Sequence, residues 1–130
     1  MTNSGRRAKD DPIGEAAIGA VLKTRKLKAV NRLGKRIGPA SNHAAEYTAL
    51  IEGLRMARQR GVDHIRVFLD SELVVDQLHG ISRVKNAALI PLHEEACDVA
   101  EEFASLRLSW VPREMNKEAD DEARRALGAP

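Results

Sequence analysis

The chain has one cysteine, Cys97, and aromatics make up only 3% of its 130 residues. A lone thiol closes no internal disulfide, and with four scattered histidines it forms no zinc pattern. This excludes a disulfide-stapled secreted scaffold and points to the cytoplasm. No apolar run approaches the ~20 residues of a membrane helix, and Met1 to Lys9 holds no apolar signal-peptide core. There is no internal repeat, linker or low-complexity tract. With aromatics scarce, the core has to come from Leu, Val, Ile and Ala. A length of 130 residues suits one domain, 1–130, around one such core.

The formal net charge of +2 conceals an asymmetry. Residues 1–40 hold ten Lys/Arg against three Asp/Glu, a balance of +7, and residues 41–130 hold eleven against sixteen, a balance of −5. A basic segment attracts a polyanion. An acidic remainder fits either ordinary solvated surface or a group of metal-binding carboxylates.

The chain is organised around Arg66 to Val75, RVFLDSELVV. An apolar run containing Val67 and Leu69 ends on Asp70, and Ser71–Glu72 has the character of a first helical turn. A carboxylate at the end of a buried strand faces the open end of an α/β fold, where ligands gather. Asp70 and Ser71 also suit plain helix capping.

Met1 to Gly14 lacks periodicity and is predicted to be mostly loop. Ala16–Lys23 and Leu27–Ile37 read as antiparallel strands joined by a short turn. Ser41 and Asn42 are good caps for a helix on which Tyr47, Leu50, Ile51, Leu54 and Ala57 recur at helical spacing, closed by Gly61. A strand His64–Asp70 follows, then a short helix Ser71–His79, then a loop. The next helix carries Leu89, Leu92, Ala96, Val99 and Phe103, with Pro91 in its first turn. Leu106, Leu108 and Trp110 alternate along a last strand, Trp110 being assigned to the core. Asn116 caps a final helix with Ala119, Ala123 and Leu127 inward. The order β-β-α-β-α-α-β-α puts an antiparallel pair before strands expected to be parallel. His43, His64, His79 and His93 are assigned to the surface or to helix ends.

Three acids border apolar stripes: Glu46 before Tyr47, Asp70 at its strand end, and Asp120 after Ala119. Hard divalent cations take oxygen ligands of this type, and two ions about 4 Å apart serve phosphodiester cleavage. Taken singly, Glu46 and Asp120 are also ordinary acids near helix starts.

The segments SNHAAEYTALIEGL, RVFLDSELVV and SWVPREMNKEADDEARRAL resemble, in order and spacing, the signatures of the ribonuclease H family, type 1. The likeness is greatest to its short bacterial and archaeal, reverse-transcriptase-like branch, and it runs from about Pro12 to Leu127. The resemblance implies a ribonuclease H-like fold, a five-stranded mixed sheet with helices on both faces. It implies hydrolysis of the RNA strand of RNA–DNA hybrids with two Mg²⁺ or Mn²⁺ ions held by carboxylates. Residue by residue, Glu46, Asp70 and Asp120 match three of the family's four catalytic, metal-binding acids. Arg113 stands where other branches carry a histidine and, being always charged, would bind phosphate. Asn42 matches a position that contacts the hybrid, where 2′-hydroxyls are read, and Ser71 either supports Asp70 or the substrate backbone or caps its helix. No membrane association and no obligate protein partner is expected.

One departure stands out. The family's first carboxylate belongs to an Asp–Gly pair ending the first strand, and the pair should fall near Ser4–Gly5, where there is no acid. The first strand is expected to be truncated or short, and cleavage to be impaired unless that acid lies upstream. Asp10 and Asp11 are poor substitutes. A non-catalytic nucleic-acid-binding domain of the same fold is the alternative, and a protein-interaction module is a third reading.

Overall fold

A computed structural model describes residues 13–128. The element order is β1 (Ile13–Lys23), β2 (Ala29–Ser41), α1 (Asn42–Gln59), β3 (His64–Leu69), α2 (Glu72–Leu78), α3 (Ile90–Ala100), β4 (Ser105–Trp110), a short 3₁₀ turn (Arg113–Met115) and α4 (Lys117–Ala126). Strand β1 starts at Ile13, so Ile13 and Gly14, expected in loop, are strand: their backbones pair with Ser41 and Ala40. The expected truncated first strand, Ser4–Gly5, Asp10 and Asp11 all lie outside the described residues.

β1 and β2 are antiparallel, with Ile13 opposite Ser41 and Gly19 opposite Gly34. β3 and β4 are parallel, running from His64/Ser105 to Leu69/Trp110. Among the described residues these pairs form two separate two-stranded sheets. Among the described residues a cleft lined by β1, α1, β3 and α4 separates the two pairs.

Alternation along β1 assigns helices to faces. A Cβ on Gly19 would lie 1.9 Å from the Ala119 carbonyl oxygen of α4, whereas the next residue, Ala20, meets Gly53 of α1. α4 and α1 therefore cover opposite faces of β1. Gly34, beside Gly19, lets α4 come close at Glu122, whose carbonyl oxygen would lie 2.5 Å from a Cβ there. Ion pairs of Lys23 and Arg32 with Glu118, and of Arg32 with Glu122 at 3.5 Å, fasten the other edge of α4 to the β1–β2 pair.

The core lies where α1, α2, α3 and β3 meet. Tyr47, Leu50, Ile51, Leu54 and Ala57, all on one stripe of α1, are buried with Leu69, Val74, Val75, Leu89, Ala96, Val99 and Phe103. Pro91 sits in the first turn of α3, where its missing N–H costs nothing. Three expectations change. Trp110 is 48% exposed because it is the last residue of an edge strand. Leu127 follows the end of α4 and is exposed, and α4 has no fully buried residue. His93 is half-buried, packed edge-on against Tyr47 and bonded through Nε2 to the Gln77 carbonyl.

Candidate active site

The site begins with how α1 is aimed. Ser41 Oγ accepts from the Ala44 N–H at 3.1 Å, which fixes the helix start. One turn later Tyr47 is fully buried, and its hydroxyl donates to Gln77 Oε1 at 2.6 Å. Burial pushes the phenol up to about 12, so it remains a neutral donor. With the helix start and Tyr47 held, the preceding residue, Glu46, is turned to the edge of the stripe and into the cleft beside β3.

Asp70 directly follows the last residue of β3. Its Oδ2 accepts from Asn116 Nδ2 at 3.2 Å, and its side chain is hydrogen-bonded to Glu46. Asp120 lies in the first turn of α4, 3.7 Å from the exposed Arg113 guanidinium. Burial first, and then the Asp70 charge, raise the Glu46 carboxyl to about 7. Arg113 opposes that rise, while the hydrogen bond to Asp70 and the charge of Asp120 add to it. The raised value favours the protonated Glu46 carboxyl, which can donate to Asp70.

The structure thus brings Glu46, Asp70, Asp120 and Arg113 into mutual electrostatic reach at one end of the cleft. Asn42, the first residue of α1, is exposed and lines the same cleft. Ser71 Oγ accepts from the Val74 N–H at 3.3 Å, the capping geometry of α2. Asn116 went unrecognised as a site residue because an asparagine before a helix reads as a cap. It holds the cap position of α4, yet its side chain makes no capping bond and donates to Asp70 instead. Among the described residues no three acids, histidines or cysteines stand close enough to hold one metal ion. The donors nonetheless suit a hard cation: the carboxyl oxygens of Glu46, Asp70 and Asp120.

Comparison with known proteins gives consistent matches. The model of the "reverse transcriptase-like" family matches residues 8–126. A bifunctional protein of Mycobacterium tuberculosis is 39% identical over 117 residues, covering 89% of this chain and 32% of that protein. The crystal structure of ribonuclease H1 from the archaeon Halobacterium salinarum superimposes with a TM-score of 0.87 at 34% identity, covering 98% of this chain and 92% of that one. LC11 ribonuclease H1, solved in complex with an RNA/DNA hybrid, gives 0.85 at 31% identity over 90% of this chain and 88% of that one. The chain spans about a third of the mycobacterial protein's length.

Proposed function

The chain belongs to the reverse transcriptase-like family, with a ribonuclease H-like fold, and from that premise we propose that it is a metal-dependent endonuclease hydrolysing the RNA strand of RNA–DNA hybrids. The observation that carries this reading is the gathering of Glu46, Asp70 and Asp120, with Arg113, at one end of the cleft, where burial and then the Asp70 charge raise the Glu46 carboxyl to about 7. Acids drawn together without a matching number of cations fit a site that takes divalent ions. Glu46, Asp70 and Asp120 would hold Mg²⁺ or Mn²⁺, two ions in the family's scheme, which supply an activated water and charge stabilisation at the phosphate.

The chain's own residues have separable tasks. Asn116 orients the Asp70 carboxylate, and a fixed ligand is what positions a nucleophile. Arg113, exposed at the mouth, is placed to take a substrate phosphate in exchange for Asp120. Asn42 and Ser71 flank the acids and offer polar groups to the hybrid backbone. The half-buried free thiol of Cys97 fits a reducing compartment, and we assign the activity to the cytoplasm. Among the described residues no helix is long and apolar enough to cross a membrane.

A second reading, a hybrid-binding domain without cleavage, is favoured by the absence of three ligating groups at metal distance among the described residues and of an acid at Ser4–Gly5. One assay separates them. A labelled RNA–DNA hybrid is incubated with the protein and Mg²⁺ or Mn²⁺, with double-stranded DNA as control. Hybrid-specific cleavage that Asp70→Asn abolishes supports the nuclease. Binding that persists without cleavage supports the second reading, and neither binding nor cleavage refutes both.

A further inference from the structure

The outer face of the β3–β4 pair carries a pattern that the acids do not explain. Alternation sends Ile65, Val67 and Leu69, with Leu106 and Leu108, to the core. The other face holds three cross-strand rows: His64 beside Ser105, Arg66 beside Arg107, and Phe68 beside Ser109. His64 Nδ1 and Ser105 Oγ are 2.8 Å apart, which closes the first row. None of these six residues is an acid. Both arginines are exposed, and among the described residues neither is in an ion pair. Phe68 is 51% exposed.

Two guanidiniums on directly opposed residues of strands about 4.8 Å apart repel each other. An anion between them turns that repulsion into attraction. Phe68 adds what a simple anion has no use for, an exposed ring on an otherwise polar face. Arginines beside an exposed aromatic on a sheet face suit a polymer that alternates negative charge with flat rings, which is single-stranded nucleic acid. A duplex keeps its base faces stacked on one another and gains nothing from Phe68. The rows run along β3 for about 13 Å, four residue steps at about 3.3 Å each, so the face takes only a few nucleotides. His64, Arg66 and Phe68 lie in line along β3, and the strand leads on to Asp70, so a nucleic-acid strand leaving the acid end has this face in its path. A further strand joined to the β3 edge would lie in the plane of the sheet and leave this face open. Helix α4 is seated on β1 and β2, at Gly19 and Gly34.

We propose that the outer face of the β3–β4 pair is a platform for single-stranded nucleic acid, with a base stacked on Phe68 and backbone phosphates held by Arg66 and Arg107. Binding there needs neither a metal ion nor the acids, so it stands apart from hybrid cleavage.

The test titrates labelled hexathymidylate with the 130-residue chain in EDTA at low salt, about 50 mM, followed by fluorescence anisotropy. Saturable binding is expected. Phe68→Leu keeps apolar surface and removes the ring, so it should weaken binding at least fivefold, whereas Phe68→Trp should keep or tighten it. Arg66→Ala and Arg107→Ala should each make the log–log salt slope shallower by about 0.7. Phe68→Leu should leave affinity for a blunt-ended RNA–DNA hybrid within twofold, so loss of this platform and loss of hybrid binding are read separately. An abasic hexamer, which keeps the phosphates and lacks the bases, should bind at least fivefold more weakly than hexathymidylate, and it decides the matter if Phe68→Leu fails to fold. Four results overturn the proposal: no binding of hexathymidylate, an abasic hexamer bound as tightly, a Phe68→Leu variant that binds like the parent or loses hybrid affinity equally, or a salt slope that both arginine variants leave unchanged. Equal binding of the abasic hexamer would reduce the face to a phosphate site without base stacking.

Discussion

At the scale of single residues, Glu46 links the site to pH. Its carboxyl is raised from 4.5 to about 7 in the folded protein by burial and by Asp70. As pH rises past 4.5 the unfolded chain gives up this proton while the folded chain retains it. Stability is therefore fully present below about 4.5, declines up to about 7 and stays low above. Glu46→Gln removes the titration, so it should stabilise the protein at pH 8 relative to pH 4, by at most about 3.5 kcal/mol at roughly 1.4 kcal/mol per pH unit. Chemical denaturation at the two pH values measures this, and an equal effect at both would show that Glu46 is not strained. Saturating Mg²⁺ should shrink the gain, because a bound cation favours the ionised carboxyl. Asn116→Ala removes the Asn116 Nδ2 donor from Asp70 and should lower cleavage about tenfold or more with binding affinity nearly kept; an equal loss of both would make Asn116 a substrate contact. Glu46, Asp70 and Asp120 were legible as candidates because each borders an apolar stripe. Asn116 was not, since the sequence cannot tell a capping asparagine from one turned toward a neighbouring strand end.

At the scale of elements, the position of Asp120 depends on two glycines. The Cβ of any residue at 19 would meet backbone atoms of α4, Ala119 O at 1.9 Å and Ala123 N at 2.7 Å, and backbone cannot swing aside as a side chain tip can. Gly19→Val should push α4 off β1 and destabilise the fold by about 2–4 kcal/mol. It should also weaken hybrid binding, because Asp120 moves with the helix. Gly14→Ala meets nothing within 4 Å and serves as the control. If Gly19→Val melts like the parent protein, α4 does not pack as described. Helix α1 was readable in full, since five apolar residues at helical spacing are the five that are buried. Helix α4 was readable in position and not in burial. Ala119 and Ala123 do face inward, but they look onto the cleft, and no local pattern reports what stands across a cleft. Trp110 misled for a related reason: alternation gives the face of a strand, and where along that face the covering helices stop is a tertiary fact.

At the scale of the whole molecule, the fold redistributes the charge asymmetry of the sequence. Of the cations in residues 1–40, Lys23, Arg32, Lys35 and Arg36 are in ion pairs with Glu118, Glu122, Glu52 and Glu15. Arg25, Lys26 and Lys28 stand around the β1–β2 turn, at the end of β1 away from the acids. The basic half is thus partly neutralised by the acidic half, and beside the acids Arg113 stands 3.7 Å from Asp120. These exposed pairs are weak and salt-screened, so a polyanion can compete for their cations. A net footprint of about three phosphate contacts gives a salt slope near −3 and a loss of roughly 40-fold in hybrid affinity between 50 and 200 mM salt. Arg113→Ala should weaken binding at low salt and make the slope shallower by about one. Fluorescence anisotropy of a labelled hybrid across that salt range measures both quantities. A slope near zero would defeat the nucleic-acid assignment. A slope that Arg113→Ala leaves unchanged would move the phosphate contact away from the acids and onto the β1–β2 surface, where the cations now serve α1 and α4.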